Sequence, residues 1–198
     1  MKSANFLFLF ILLFSMACRS QDYARVFTAD PDAAPATVKL LANMKALSAK
    51  GIMIGHQDDL AYGKGWKAPK GKSDVLRVCG DYPAVFGWDL GGIENESLVN
   101  LDSVPFADMK KYALEVYSKG GINTFSWHLN NPLTGGNAWD VSRKDVVRSI
   151  LTEGETRTVY IAWLDRVAAF LSSLKNEKGE PIPVIFRPFH EQTGSWIW

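Results

Sequence analysis

Cysteine, histidine and charge of one sign are all scarce in this sequence of 198 residues. Two cysteines, Cys18 and Cys79, permit at most one disulfide, so the chain is not a disulfide scaffold. Three histidines, His56, His128 and His190, are too few and too far apart for a zinc-protease motif. In particular, Gly194 occupies the position where His-Glu-x-x-His needs its second histidine after His190-Glu191. Lys and Arg number 22 against 21 Asp and Glu, for a formal charge of +1. No cationic excess is available to hold a phosphate backbone, and nucleic acid is not an expected partner. No Gly-x-Ser-x-Gly elbow occurs, and Ser195 lies in Thr-Gly-Ser-Trp without a strand-turn-helix context, which argues against a serine hydrolase. A glycine-rich phosphate loop is also missing, because the first strand leads into Gly55-His56-Gln57, so no nucleotide or flavin cofactor is expected.

Long apolar runs are absent as well. The longest, Phe6 to Phe14, falls well short of the ~20 residues that span a bilayer and matches the hydrophobic region of an export signal. Met1-Lys2 precedes it and Ser15-Met16-Ala17-Cys18 follows it. Small residues directly before a cysteine resemble a bacterial lipobox, with residues 1–17 as signal peptide and Cys18 as the lipidated first residue of the mature protein. An ordinary cleaved signal with an incidental cysteine is the alternative. Arg19 stands where an inner-membrane retention signal has Asp, which directs the expectation to the outer membrane, on its periplasmic or outer side. Residues 18–34 then form a tether, and Cys79, in Val-Cys-Gly, is expected to be a small buried apolar residue.

What the sequence does contain is globular: 47% hydrophobic, 22% charged and 12% aromatic residues, including 7 Trp. From Pro35 onward, helical and strand patterns alternate. A helix is expected from Pro35 to Lys50, with Leu40, Leu41, Met44 and Leu47 on one stripe, followed by a strand over Gly51–Gln57. A short helix near Ser73–Cys79, a strand over Pro83–Leu90 and a helix from Val104 to Lys119 come next. The third strand covers Ile122–Asn130, helices cover Arg143–Leu151 and Arg157–Lys175, and the fourth strand covers Ile182–Glu191. Four strands alternating with helices point to right-handed βαβ units and a parallel sheet. The strands close on His56-Gln57-Asp58, Trp88-Asp89, Trp127-His128 and His190-Glu191, so polar and aromatic groups gather at their C-terminal ends. That pattern predicts an α/β fold, a (β/α)8 TIM barrel of which about the first four βα units are present.

Glu191 is the leading candidate for chemistry. It ends an apolar strand beside His190, Arg187, Phe189, Trp196 and Trp198, and a carboxyl in an aromatic, low-dielectric setting should have a raised pKa and hold a proton for donation, as a glycosidase acid does. A surface Glu that caps the next helix or pairs with Arg187 is the competing reading. His128 and His190 suit hydrogen bonding to hydroxyl groups; a site in which His56, His128 and His190 bind a metal is geometrically conceivable, but no metal is expected. Asp58, Asp59, Glu94 and Glu96 are expected to cap helices or face solvent. Asp89 ends a buried strand, where an unpaired carboxylate is costly, so it should have a partner such as a substrate hydroxyl. Trp127, Trp139, Trp196 and Trp198 suit either stacking on sugar rings or ordinary packing.

The segment Arg187-Pro188-Phe189-His190-Glu191-Gln192-Thr193-Gly194-Ser195-Trp196-Ile197-Trp198 closely resembles glycoside hydrolase family 26, known for β-mannanases. Gly55-His56-Gln57-Asp58-Asp59, Gly87-Trp88-Asp89 and Ser126-Trp127-His128-Leu129-Asn130-Asn131-Pro132 extend the resemblance upstream in the same order. It implies a (β/α)8 barrel and retaining hydrolysis of β-1,4-mannan, with a substrate but no cofactor. Glu191 is then the acid/base after strand four, and His128 and His190 bind sugar beside the cleavage point. Trp196 is similar to the family's aromatic wall, and Arg187 orients carboxylates. The family's nucleophilic glutamate follows strand seven, so an incomplete catalytic barrel over residues 35–198 is expected here, with the nucleophile beyond Trp198. β-1,3-Xylanase and β-glucanase activities occur in the same family, and a non-catalytic glycan-binding lipoprotein is the rival from another class.

Overall fold

The computed structural model describes residues 28–67 and 71–198. The export signal and Cys18 therefore lie outside the described residues. The first helix, α1 (Pro35–Ser48), starts on Pro35, whose missing N–H costs nothing in a first turn. Its apolar stripe remains only half-buried: Ala42 alone is buried and Leu47 is exposed. A short strand β1 (Gly55–Gln57) leads to a hairpin of β2 (Tyr62–Gly63) and β3 (Trp66–Lys67). Helix α2 (Asp74–Cys79) is capped by Ser73, whose Oγ accepts from Leu76 N at 2.9 Å, and ends on Gly80 in the left-handed region. Cys79 is exposed at that helix end rather than buried as expected, because the last turn of so short a helix faces outward.

The remaining elements are β4 (Val85–Asp89), a 3-10 turn over Ile93–Asn95, α3 (Phe106–Ser118), β5 (Ile122–Ser126), α4 (Val146–Leu151), α5 (Glu155–Ser172) and β6 (Val184–Arg187). One parallel sheet has the order β1-β4-β5-β6. Each strand lies next to its successor in the sheet, as right-handed βα units require. All four strands are shorter than their apolar runs, for local reasons. Pro188 has no N–H to extend β6, and Pro183 precedes its start. Gly51–Ile54 lack a ladder on their outer side, where Ile52 is 92% and Ile54 64% exposed.

Register divides the sheet into two faces. Phe86, Trp88, Asn123 and Phe125 face the helices. Trp88 stacks on Tyr112 of α3 at 6.0 Å, and Phe125 meets the edge of Phe170 of α5 at 6.1 Å. Trp88 Nε1 donates to Asn123 Oδ1 at 2.8 Å, and Asn123 Nδ2 donates to the Ala113 carbonyl at 2.8 Å, so the polar atoms inside this layer are paired. Met109, Ala113, Val116 and Val167 complete the core. The opposite face carries Gln57, Gly87, Asp89, Thr124, Ser126 and Arg187. Gly87 leaves room there for the side chain of Gln57 on the neighbouring strand, whose amide oxygen lies where a Cβ would stand. The architecture is a parallel α/β sheet with helices on one face, which forms part of a barrel.

Candidate active site

The parallel register aligns Asp89 with Ser126 and Ser126 with Arg187, so the C-terminal ends of three strands lie side by side. Asp89 is buried there and accepts hydrogen bonds on both oxygens. Oδ1 accepts from Gly91 N at 2.7 Å and His128 N at 3.3 Å. Oδ2 accepts from Ser126 Oγ at 2.6 Å and lies 2.8 Å from His128 Nδ1. The expected partner for this carboxylate thus comes from the protein, in the form of an imidazole and a hydroxyl. Burial opposes the Asp89 charge, yet the donors from His128, Ser126 and Gly91 outweigh it and hold the pKa below the ordinary value. The same hydrogen bond to Asp89 raises the pKa of His128. It also fixes which ring nitrogen faces outward.

That outward nitrogen, His128 Nε2, lies 3.9 Å from Glu191 Oε2. The His190 ring stands perpendicular to His128, with centroids 4.4 Å apart, and its pKa is lowered by burial and by its neighbour's charge. Trp139 stacks against His128 at 5.7 Å with half its surface exposed. On the other side, Trp196 is 54% exposed and donates from Nε1 to Glu191 Oε2 at 2.9 Å. Glu191, His128, His190, Asp89 and Trp196 therefore converge in one place.

Several expectations need correction. The Glu191 carboxyl titrates below its ordinary value, not above it, because the Trp196 indole donates to its charged form and the two histidines add positive potential. Its side chain is 39% exposed, so the described residues alone do not supply the low-dielectric enclosure inferred from its aromatic neighbours. Trp127 is core and offers no open face: it is 1% exposed and stacked on Tyr160 at 6.4 Å. Among the described residues, the partner of Arg187 is Thr124, to whose Oγ1 it donates from Nε at 3.0 Å. Asp58 and Asp59, expected at the surface, are fully buried. His56 stands apart from the other two histidines, with Nδ1 3.0 Å from Asp59 Oδ1. The ligand atoms that do cluster, within 4.8 Å, belong to Asp89, His128 and His190, and the hydrogen bonds of Asp89 already occupy its oxygens.

Glu94 is the functional-site residue that sequence reasoning misplaced most. Instead of facing solvent it is buried, and it bonds to the segment on both sides of His128. The parallel register, which brings the loop after β4 against the loop after β5, is the signal that links the two acidic residues Asp89 and Glu94 to His128. A cavity of about 300 Å³ lies beside His128 and Trp139, floored by Gly91 and Gly92 and rimmed by Asn130 and Asn137.

The sequence profile of glycosyl hydrolase family 26 matches residues 29–198. The solved β-mannanase of that family from Bacteroides ovatus is 52% identical with a TM-score of 0.81, over 84% of this chain and 48% of that one. A modular endo-β-1,4-mannanase from Cellulomonas fimi is 36% identical with a TM-score of 0.75, over 85% of this chain and 38% of that one. The mannan endo-1,4-β-mannosidase of Bifidobacterium adolescentis is 36% identical over 64% of this chain and 13% of its own length. The chain thus spans about half the length, or less, of the relatives it matches.

Proposed function

The chain belongs to glycosyl hydrolase family 26, and from that premise we propose that it forms the acid/base half of a retaining endo-β-1,4-mannanase with Glu191 as the proton donor. The observation that carries this reading is the position of the Glu191 carboxylate. It lies in the turn that follows β6, bonded to the Trp196 indole and 3.9 Å from a His128 ring that buried Asp89 holds in place.

In the first step, protonated Glu191 gives its proton to the glycosidic oxygen as the bond from that oxygen to the anomeric carbon breaks. A second carboxylate about 5–5.5 Å away attacks the anomeric carbon. The family pattern places it after a seventh strand, beyond the residues described. Its charge opposes ionisation of Glu191 in the resting enzyme and so supplies the protonation that the described surroundings alone do not favour. Once that carboxylate is esterified by the sugar, its charge is gone. Trp196, His128 and His190 then favour the Glu191 carboxylate, which takes a proton from the water that releases the sugar. His128 and His190 present ring nitrogens to sugar hydroxyls, and the exposed faces of Trp196 and Trp139 suit stacking on adjacent rings.

Export through residues 1–17 and lipid attachment at Cys18 belong to the same proposal and rest on the sequence pattern of that segment. The catalytic assignment is tested with Glu191→Ala in the full-length protein. Turnover of β-mannan is expected to fall about 10²- to 10⁴-fold. Cleavage of a dinitrophenyl β-mannoside, whose leaving group needs no proton, should retain most of its first-step rate. Undiminished mannan hydrolysis by this variant overturns the assignment.

A further inference from the structure

Glu94 lies in the 3-10 turn after β4 and is 1% exposed, yet it is not part of the surface that meets substrate. Its Oε2 accepts from Trp127 Nε1 and from Gly92 N, each at 3.0 Å. Its Oε1 accepts from Asn130 N at 2.9 Å. Trp127 and Asn130 flank His128 in the chain, so one carboxylate grips the loop on both sides of the histidine. The turn itself is tethered: Arg166 of α5 donates through one guanidinium nitrogen to the Glu94 carbonyl at 2.5 Å, and its other nitrogen lies 3.1 Å from Glu96 Oε1. Asp89 holds the His128 ring and backbone N–H from the far side.

We propose that Glu94 is a positioning residue for the acid/base centre: it locks residues 127–130 so that the His128 ring stays between Asp89 and Glu191. The kinetic part of this inference rests on the mannanase reading above; the structural part does not. All three partners of Glu94 are N–H donors. A carboxylate satisfies them with both oxygens, whereas a carboxamide has one oxygen and turns an N–H against the remaining donor. Glu94→Gln therefore leaves the shape of the side chain intact and releases one end of the loop. A ring displaced by about 1 Å from a reacting group can cost up to ~10²-fold in rate.

The test uses the full-length protein. Glu94→Gln is expected to unfold cooperatively, to lose about 10- to 100-fold in kcat/KM on β-mannan, chiefly through kcat, and to shift the NMR titration of His128 downward. The downward shift follows because a freed loop no longer presents Nδ1 to Asp89, the contact that raises the His128 pKa. A role limited to stability would leave that titration where it is. Trp127→Phe removes one of the donors while keeping the carboxylate, and a smaller shift in the same direction is expected. A folded Glu94→Gln protein with wild-type kinetics and wild-type His128 titration overturns the proposal. If Glu94→Gln does not fold, an unmoved His128 titration in Trp127→Phe overturns it instead. A wild-type enzyme inert toward mannan refutes the functional reading separately, because the titration needs no substrate.

Discussion

Asp58→Asn should stabilise the full-length protein above neutral pH and do nothing in acid. Asp58 follows β1 in the turn that starts the loop to β2, and it is fully buried. Tyr62 Oη donates to its Oδ2 at 3.2 Å, while Oδ1 has no hydrogen-bond partner among the described residues. Burial, reinforced by the charges of Asp102 and Asp89, pushes its pKa from 3.8 up to about 7. The native state thus binds the proton more tightly than the unfolded chain does. Between about pH 4 and about pH 7 the folded protein holds a proton that the unfolded chain has released. Stability therefore declines as pH rises through that window and is flat above it. The difference between the two pKa values corresponds to a ceiling of about 4 kcal/mol. Asparagine keeps the shape, still accepts from Tyr62, and tolerates the left-handed backbone (φ 51°) at this position, while it cannot ionise. The gain from Asp58→Asn should be near zero at pH 4, partial at pH 6 and up to a few kcal/mol at pH 8, read from urea midpoints at each pH. An equal gain at pH 4 and pH 8, or none at pH 8, refutes the reasoning, since the gain comes from removing a carboxyl that titrates between those values.

Two further outcomes are expected. Asp89→Asn lets the amide donate to His128 Nδ1, reversing the tautomer that the carboxylate selects; the His128 titration should fall and kcat/KM on β-mannan should drop by about 10²-fold, and an unchanged titration would show that Asp89 does not set the ring's state. Cys18→Ser should abolish incorporation of labelled palmitate into the protein in its source cell and release it from the membrane fraction; continued labelling would rule out lipidation at that cysteine.

The order of the four parallel strands and their helices was legible because short β-rich runs stand out between stretches of helical periodicity. The strand ends were less so, since what stops a strand here is the ladder and not the composition: Pro188 ends β6, and among the described residues Gly51–Ile54 have no strand beside their outer edge. His128, His190 and Glu191, placed at strand ends by the sequence pattern, lie together, and Trp196 joins them from the segment that follows. Burial of individual polar residues was not legible. Asp58, Asp59 and Glu94 have the sequence context of caps, and only the tertiary fold reveals that each is enclosed. Trp127 has the opposite history: its neighbours in the chain are polar, and the register of β5 turns its ring into the core.

The burial of Trp127 has a physical origin that bears on how the site works. A side chain at a strand's C-terminal end either projects over the end of the sheet or folds back between two loops, and adjacent residues alternate between the two. His128 projects toward Glu191 while Trp127, its neighbour, folds back onto Glu94. Asp89 sits under His128 while Trp88, its neighbour, packs against α3. His128 and Asp89 are thus each preceded in sequence by a buried tryptophan, and these anchors are held by hydrogen bonds to Glu94 and Asn123. The rigidity that an acid/base centre needs comes from this alternation. A substitution at Trp88 or Trp127 should consequently be felt at Asp89 or His128, one residue away, before it is felt in the sheet.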